Sequence, residues 1–387
     1  MREVVIVEAV RTPIGRRNGK LKDIHPVVLG SLVLKEIVQR AGIKPEQVED
    51  VVFGCVSQAG EQSLNIGRNA WLTAGFPVTT PATTVDRQCG SSQQALHFAA
   101  NLIQSGVCDI TIAGGVESMS RVPMGSNAVS PGTPFPPELM ELYDLVPQGI
   151  SAELMARKYG ISRRQMDEFG VRSHKLAHEA SEKGYFSSQI MPVDVPVEGN
   201  GHSSLFTKDE GIRANANYEA TAALQPAFNP EHSITAGNSS QISDGAAAVL
   251  LMSLEKAKEL GLRPRARIRA QAVVGTDPVL MLEGPIPGTA AVLKRAGLEL
   301  KSIDLFEVNE AFASVVLAWQ KETGADLDKT NVNGGAIDVG HPLGASGAIH
   351  MNRLLYELER RDLRYGLETM CCGGGLGTAT IIDRVVE

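Results

Sequence analysis

The sequence predicts an α/β fold in which short strands and helices alternate around a mainly parallel sheet. Strands are predicted for three β-branched runs, at residues 4–7, 51–53 and 110–113. Between the first two runs, apolar residues recur at helical spacing from Leu29 to Val38, and Gly42 is a stop signal. A second amphipathic helix is predicted over residues 91–103, with Gly106 just beyond its end.

The composition excludes several classes of protein. The 387 residues include 37 Lys and Arg and 44 Asp and Glu, which gives a net charge of −7, and 43% of the residues are hydrophobic. These values are typical of a globular protein with two or three domains, so disorder and a coiled coil are excluded. A nucleic-acid partner is not expected, because phosphate binding requires a concentrated basic surface.

The spacing of the cysteines and the length of the apolar runs indicate where in the cell the protein is located. The spacing of the five cysteines fits neither a disulfide framework nor a metal site, which predicts reduced thiols and no bound metal. No stretch approaches the roughly 18 uninterrupted apolar residues that span a membrane. Residues 1–10 are too short and too acidic for a targeting segment, and the chain does not end in a peroxisomal signal. We therefore expect a cytoplasmic protein without a membrane span.

The order of predicted elements returns near the C-terminus, which indicates an internal duplication. Strands are predicted there at residues 266–272, 305–308 and 378–382, and a helix follows the Gly-rich turn at 340–347. Residues 119–242 match neither half, and a ligand-binding insertion is favoured over a surface excursion because long insertions in enzymes are usually functional. We predict an N-terminal half at 1–118 plus 243–263, an inserted domain at 119–242, and a C-terminal half at 264–387.

Cys89 stands directly before a predicted helix. The partial positive charge of a helix N-terminus is expected to lower the pKa of the thiol and favour the nucleophilic thiolate. The equivalent place in the second half contains His341. If a pseudo-twofold axis relates the halves, the two helix N-termini meet and His341 can accept the thiol proton. Taken singly, each residue has a structural alternative, a small buried thiol or a histidine that caps a turn.

Two further segments carry reactive or polar groups. Cys371 and Cys372 precede three consecutive glycines, which let the backbone approach a ligand and direct N–H groups at it. Either thiol could act as an acid and base, and a pair of buried structural thiols is the alternative. Asn309 and Glu310 follow a predicted strand, where a helix N-cap at Asn309 is the simpler interpretation.

Together these segments resemble the thiolase family over nearly the whole chain. Further motifs occur in the family order: Val-Arg-Thr-Pro (10–13), Gly-Gly-Val-Glu-Ser-Met (114–119), Thr-Ala-Gly-Asn-Ser-Ser (235–240) and Ser-Asp-Gly-Ala-Ala (243–247). The resemblance implies a layered α/β/α/β/α fold. It also implies two duplicated five-stranded halves and an inserted loop domain that binds coenzyme A.

The resemblance implies a role for each reactive residue. Cys89 matches the nucleophile that holds the acyl group, and His341 matches the base that activates it. Cys371 matches the second cysteine of the family, an acid and base. Asn309 matches the residue that holds a water, which stabilises the enolate oxygen of acetyl-CoA together with His341. The N–H groups of Cys89 and Gly373 would form a second oxyanion hole.

Coenzyme A is implied as a substrate, and no tightly bound cofactor is expected. The residues that match its channel and the substrate pocket are Arg213 near the adenine and phosphate end, Ser240 near the pantetheine, and Ala236, Phe312 and Met281.

The sequence departs from the family pattern around the substrate pocket. Gln148 lies in Pro-Gln-Gly, where many members have His-Met-Gly or Met-Met-Gly, and Gln241 replaces a usual glycine. Residues 281–285 differ from the common Met-Gly-x-Gly-Pro, and Cys372 takes the position of an apolar residue. Residues 121–146 also depart, in a segment that commonly governs tetramer assembly. The length and shape of the acyl group therefore stay open.

We predict an acetyl-CoA C-acyltransferase of the degradative type, a 3-ketoacyl-CoA thiolase of β-oxidation. An acetoacetyl-CoA thiolase that runs in the condensing direction is the nearest enzyme alternative, and an inactive CoA- or lipid-binding scaffold is the alternative of another class. A decarboxylating ketoacyl synthase is disfavoured, because a second histidine would replace Asn309 and Cys371 would be missing. The resemblance implies a homodimer or homotetramer, and a partner with hydratase and dehydrogenase activities would be compatible with it.

Overall fold

The computed structural model describes residues 2–129, 131–197 and 202–384. The remaining positions of the predicted domain ranges, namely 1, 130, 198–201 and 385–387, lie outside the described residues. The strands are β1 Val4–Arg11, β2 Gly15–Arg16, β3 Asp50–Gly54, β4 Ala82–Val85, β5 Ile110–Ser118, β6 Val193–Pro196, β7 Ser203–Phe206, β8 Ser243–Ser253, β9 Ala266–Gly275, β10 Leu305–Val308, β11 Tyr365–Cys372 and β12 Leu376–Asp383.

The helices follow the signals in the sequence. Helix α1 has Pro26 in its first turn and ends at Gly42, which adopts a left-handed φ of 65°. Ser162 and Gln165 form a capping box at the start of α6. The helices are α1 Pro26–Ala41, α2 Ile66–Thr73, α3 Ser91–Gln104, α4 Pro137–Leu142, α5 Gln148–Lys158, α6 Arg163–Glu182, α7 Tyr218–Ala222, α8 Leu254–Glu259, α9 Pro285–Ala296, α10 Ala313–Thr323 and α11 Ser346–Arg361. The predicted strands and helices are thus confirmed.

The main sheet consists of two halves with the same strand order. In the first half the order is β4-β3-β5-β8-β1, and in the second it is β10-β11-β12-β9. A single parallel bridge between Phe306 and Thr330 occupies the place of the fifth strand in the second half. In the first half β5 is parallel to β3, and across the sheet β8 and then β1 each pair antiparallel with the preceding strand. In the second half β11 is parallel to β10, and β12 and then β9 each pair antiparallel in the same way. The duplication predicted from the sequence is therefore visible in the topology.

The expectation of a mainly parallel sheet was wrong. Strands β3, β4 and β5 pair in parallel, and so do β10 and β11, because helices connect them. Strands β8 and β12 return in the opposite direction, the first after the insertion and the second after a tight turn at 373–375. The two halves join where β1 and β9 pair antiparallel, at Val5–Arg267 and Ile6–Ala266. The sheet is therefore mixed.

Three apolar clusters define five layers. The first lies between α1 and α2 and the N-terminal half of the sheet, and the third lies between α9 and α10 and the C-terminal half. The second contains residues of β1, β8, α3 and α11, so these two helices form a central layer between the halves. Each large apolar side chain buried in such a core contributes about 1.5–3 kcal/mol. The observed layering is α/β/α/β/α, as the family resemblance implied.

Residues 119–242 connect the neighbouring strands β5 and β8. This segment is anchored to the first strand by a fully buried ion pair. The Arg11 guanidinium donates to both carboxylate oxygens of Asp209, at 2.7 and 2.9 Å. A bidentate pair of this kind fixes direction as well as distance. The insertion is therefore held in a defined position on the first half.

The N-termini of α3 and α11 meet in the central layer. The Ala348 N–H donates to the Ser92 hydroxyl at 2.9 Å, which links the first turns of the two helices. A Cβ atom on Gly347 would lie 2.4 Å from the Gln93 nitrogen, and one on Gly54 would lie 2.6 Å from the Gly344 oxygen. Only glycine permits backbones to approach so closely. The helix ends that carry Cys89 and His341 are therefore in direct contact.

We predict that Gly347→Ala destabilises the protein. The added methyl group must displace the backbone of α3, and overpacking of this kind costs about 1–3 kcal/mol. The measurement is the free energy of unfolding in denaturant. Gly275→Ala is the matched control, because a Cβ there has no heavy atom within 4 Å. Equal stability of the two variants would contradict the close contact of the helices.

Candidate active site

Cys89 lies in a tight turn between β4 and α3. Gln88 has a positive φ of 51°, which a non-glycine residue adopts only when surrounding contacts hold it there. The Ser91 hydroxyl donates to the Gln88 carbonyl at 2.6 Å and accepts from the Arg87 N–H at 2.9 Å, which closes the turn. Helix α3 follows directly, with Gly90 as its N-cap. The Cys89 side chain is thereby fixed at the helix N-terminus and is only 3% exposed.

The surroundings of the Cys89 sulfur act on its pKa in opposite directions. Burial is the largest influence and raises the pKa, while the Gly373 N–H, the Gln148 amide and the Cys89 N–H lower it by facing the sulfur. The net result raises the pKa of Cys89 to about 11. The expected net lowering of this pKa was therefore wrong, because desolvation outweighs the nearby dipoles. Cys89 is a neutral thiol at neutral pH and needs a base to react.

His341 is held by both its backbone and its ring. Its N–H donates to the Gln241 carbonyl at 3.1 Å. Its Nδ1 lies 2.6 Å from the Ser346 hydroxyl, which itself donates to the Pro342 carbonyl at 2.9 Å. Since that hydroxyl proton is already used, Nδ1 must carry a proton and Nε2 a lone pair. Burial, followed by the charge of His350, lowers the pKa of His341 to about 3, so the ring is neutral and Nε2 can accept a proton.

Asn309 lies beside the basic nitrogen of this ring. Its backbone N–H donates to the Thr369 carbonyl at 3.0 Å, which ties the end of β10 to β11. Its side-chain Nδ2 lies 3.3 Å from His341 Nε2. The residue is fully buried and precedes α10, which starts at Ala313 with Phe312 as its N-cap. The alternative interpretation of Asn309 as a helix N-cap was therefore wrong.

The two neighbouring cysteines at the end of β11 lie in different surroundings. Burial raises the pKa of both thiols, and the charge of Cys89 raises it further, so both sulfurs are near Cys89. Cys371 belongs to the apolar cluster that contains Phe312 and Met281. Cys372 packs with Cys89 in a separate small cluster. Cys371 therefore lies on the side of the third apolar cluster, and the Cys372 sulfur lies beside Cys89 and faces the Gly90 N–H and the Thr378 hydroxyl.

Glu117 was not recognised as a site residue from the sequence. Its buried carboxylate accepts from the N–H groups of Val56 and Ser57 at 2.9 and 3.0 Å, and from the Gln62 amide at 2.9 Å. It also accepts from the Gly344 N–H at 2.9 Å. Through this last bond, a residue of the first half fixes the turn that carries the base. The position of Glu117 in the motif Gly-Gly-Val-Glu-Ser-Met could have indicated a site residue. Its role could not be predicted, because its hydrogen-bond donors come from separate segments of the chain.

Gln148 is the other residue whose position the sequence did not reveal. It begins α5, within the insertion, and its side-chain amide faces both the Cys89 sulfur and Gly373. Gly149 allows this approach, because a Cβ there would lie 2.2 Å from the Phe228 ring. The insertion thus contributes a polar group directly to the reactive sulfur.

The predicted substrate residues fall into two groups. Phe312 and Met281 are buried, and Ser240 lies next to Phe312 because its N–H donates to the Ala311 carbonyl at 2.9 Å. Arg213 and Ala236 are exposed. Phe312 and Met281 belong to the same apolar cluster as Cys371. The exposed positions are those that an elongated ligand could reach from the surface.

Gln241 connects the two groups. Its side-chain amide donates to the carbonyls of Gly211, Ile337 and Asp338 at 3.0, 3.0 and 2.8 Å. The backbone carbonyl of Gln241 accepts from the His341 N–H. The departure from glycine at this position therefore has a structural consequence, because one side chain links the segment before Arg213 to the turn of the base.

Comparison with known proteins agrees with the geometry of the site. A family model described as the N-terminal domain of thiolase matches residues 4–255, and one described as the C-terminal domain of thiolase matches residues 262–384. The chain belongs to the thiolase family. It is therefore an acyltransferase, and the thiolase-like fold predicted from the sequence is confirmed.

Individual relatives are similar over their full length. The chain is 44% identical to a 3-ketoacyl-CoA thiolase of Bacillus subtilis, over 99% of this chain and 100% of that protein. It is 46% identical to the steroid 3-ketoacyl-CoA thiolase FadA6 of Mycobacterium tuberculosis, over 100% and 95% of the two chains. The crystal structure of the Bacillus anthracis acetyl-CoA acetyltransferase is 41% identical, with a TM-score of 0.92 over 100% of this chain and 99% of that chain.

Within residues 2–129, 131–197 and 202–384, no group of three or more His, Cys, Asp or Glu side chains is arranged to hold a metal ion. Over the same residues, none of the helices has both the length and the apolar character needed to cross a membrane. All five cysteines are buried and free.

We predict that alkylation of Cys89 by iodoacetamide accelerates with pH well beyond the range of an ordinary thiol. The thiolate is the reactive form and the pKa is raised to about 11. The rate should therefore rise about tenfold for each pH unit between pH 7 and 10. Mass spectrometry of the Cys89 peptide measures the rate, and a free cysteine peptide, which titrates near 8.5, is the control. A plateau near pH 8 would contradict the dominance of burial.

Proposed function

We propose that this thiolase cleaves 3-ketoacyl-CoA with a second molecule of coenzyme A, to give acetyl-CoA and a shortened acyl-CoA. The observation that carries the proposal is the grouping of a buried thiol at a helix N-terminus, two N–H groups facing its sulfur, and a second buried thiol nearby. A neutral histidine whose Nε2 carries a lone pair lies at the opposing helix end. These groups supply a nucleophile, a base, an acid and an oxyanion site.

In the first step Cys89 attacks the 3-keto carbon, and its proton moves to His341 Nε2. The oxygen of the tetrahedral intermediate is stabilised by the N–H groups of Cys89 and Gly373. The bond between C2 and C3 then breaks, and the electron pair remains on the acetyl-CoA carbanion. The carbanion takes a proton from Cys371, whose high pKa keeps it protonated beforehand. His341 and a water held by Asn309 stabilise the enolate oxygen during this transfer.

In the second step the thiol of a new coenzyme A gives its proton to the Cys371 thiolate. The coenzyme A thiolate attacks the acyl carbon on Cys89, and the carbon–sulfur bond to Cys89 breaks. The leaving thiolate recovers its proton from His341. The cycle thus returns each group to its starting state, and it requires neither a metal nor a redox cofactor.

Residues 119–242 are proposed as the domain that binds coenzyme A. Arg213 would contact the adenine and phosphate end, and Ser240 and Ala236 would follow the pantetheine. Phe312 and Met281 would line the inner part of the channel. The halves at 1–118 plus 243–263 and at 264–387 would supply the catalytic groups. A homodimer or homotetramer in the cytoplasm, with or without a hydratase and dehydrogenase partner, completes this proposal.

The acetoacetyl-CoA thiolase reaction is the second candidate, because it uses the same groups in the condensing direction. The similarity to an acetyl-CoA acetyltransferase structure favours it, whereas the names of the sequence relatives favour thiolysis of longer substrates. Turnover on acetoacetyl-CoA, compared with longer 3-ketoacyl-CoA, separates the two reactions. An inactive scaffold would bind coenzyme A without turnover on either substrate.

We predict that 3-ketoacyl-CoA leaves an acyl group on Cys89 and that Cys89→Ala abolishes thiolysis. The sulfur forms the covalent bond, so no other group can replace it. Mass spectrometry of quenched protein, after a panel of 3-ketoacyl-CoA substrates, identifies both the attachment site and the preferred acyl group. Cys108→Ala removes another buried cysteine and should stay active. Acylation at a different residue, or an active Cys89→Ala variant, would overturn the proposed function.

We predict that Gln148→Met shifts substrate preference toward longer linear acyl chains. An apolar, flexible side chain replaces an amide that faces the reactive sulfur, and one altered pocket contact changes discrimination by about tenfold. The measurement is the ratio of kcat/KM for 3-ketooctanoyl-CoA to that for acetoacetyl-CoA. Gln39→Met, at an exposed position of α1, is the control. An unchanged ratio would show that Gln148 does not contact the acyl group.

A further inference from the structure

His350 is a buried histidine on α11 that directly contacts Asn309. Its side chain is 4% exposed. Its Nε2 lies 2.9 Å from the side-chain oxygen of Asn309. The amide oxygen can only accept, so His350 Nε2 must carry the proton of this bond. One end of the Asn309 amide is therefore occupied by His350, and the other end faces His341.

The second nitrogen of the His350 ring faces a carboxylate. Its Nδ1 lies 3.6 Å from Glu307 Oε2, and Arg353 Nε is also 3.6 Å from this oxygen. Among the described residues, His350 Nδ1 and Glu307 Oε2 have no hydrogen-bond partner. Glu368 pairs with Glu307 in the sheet register, and burial together with the Glu307 charge raises the pKa of Glu368 well above its ordinary value. The carboxyl group that faces His350 is therefore that of Glu307, which lies beside the buried Glu368 in the sheet.

The hydrogen bonds around Asn309 allow only one orientation of its side-chain amide. The His341 ring donates from Nδ1 to Ser346, which leaves the Nε2 lone pair toward Asn309 Nδ2. A rotated amide would place its oxygen against this lone pair, and two acceptors would then repel each other. It would also lose the bond from His350. Only the observed orientation presents an N–H donor on the side where the enolate oxygen would form.

We propose that His350, with Glu307 behind it, is a positioning residue that fixes the orientation of the Asn309 amide. It acts on the step in which the enolate of acetyl-CoA forms, through the amide donor of Asn309. This inference rests on the proposed function, since it concerns the same site. His350 acts on Cys89 only indirectly, because its charge lowers the pKa of His341. We therefore expect a much smaller effect of His350 on attack by Cys89 than on formation of the enolate.

The experiment compares two reactions of the same protein. Exchange of the methyl hydrogens of acetyl-CoA with D2O requires the enolate, whereas alkylation of Cys89 by iodoacetamide does not. His350→Leu should slow the exchange by about tenfold or more, because an oxyanion donor is misplaced. Alkylation of Cys89 should change little. His350→Gln keeps a donor for the Asn309 oxygen and should restore exchange to within about threefold of the wild-type rate.

Two controls separate positioning from a structural role. His97→Leu removes another buried histidine, on α3, whose partner is Thr380, and should leave the exchange intact. Asn309→Ala slows the exchange by itself, and the double variant with His350→Leu should be no slower, because the two residues act through one donor. Additive losses would overturn the inference, and so would equal losses of exchange, alkylation and thermal stability.

The outcomes also distinguish this inference from the proposed function. An active wild-type protein with a His350→Leu variant that exchanges at the wild-type rate would overturn the positioning role alone. A wild-type protein without thiolysis or exchange would overturn both. A third outcome would also contradict a role through the hydrogen bond. In it, both His350 variants unfold at the wild-type temperature, but His350→Gln does not restore exchange.

Discussion

The site depends on the close contact between the N-termini of α3 and α11. Gly54, Gly344 and Gly347 lie where a Cβ atom would overlap the backbone of the opposing segment. Each helix end carries one reactive side chain, Cys89 in one half and His341 in the other. The separation of these groups is therefore set by backbone packing, which is more rigid than a contact between flexible side chains.

Burial then determines which forms of the reactive groups are present before substrate arrives. Desolvation disfavours every charged form, so it raises the pKa of Cys89 and Cys371 and lowers that of His341. The protein thus holds two thiols and a neutral imidazole rather than an ion pair. Charge develops only when substrate supplies an electrophilic carbon, and N–H groups that are already in place can then stabilise it.

The sequence allowed the α/β class and the duplication to be predicted from local patterns, whereas the roles of Cys89, His341 and Cys371 were implied by the family resemblance. Helix α1 could be predicted from the spacing of Leu29 to Val38 and from Gly42. The antiparallel return of β8 could not, since it depends on a partner more than 100 residues away in the chain. The pKa of Cys89 depends on the depth of burial, and Glu117 depends on donors from several segments. Such long-range properties leave no local pattern in one sequence.

Two departures from the family pattern, Gln148 and Gln241, lie close to the reactive groups. Gln148 faces the Cys89 sulfur, and the Gln241 side chain holds the segment before Arg213 against the carbonyls of Ile337 and Asp338. A buried polar group that loses its partner costs about 1–3 kcal/mol, so neither side chain can be replaced without an effect on what it touches. Under the proposed function, Gln148 lines the acyl pocket and also faces the nucleophile, so the shape of the pocket and the electrostatics of the sulfur are coupled. A change at Gln148 that alters which acyl group fits is then expected to alter how readily the sulfur reacts.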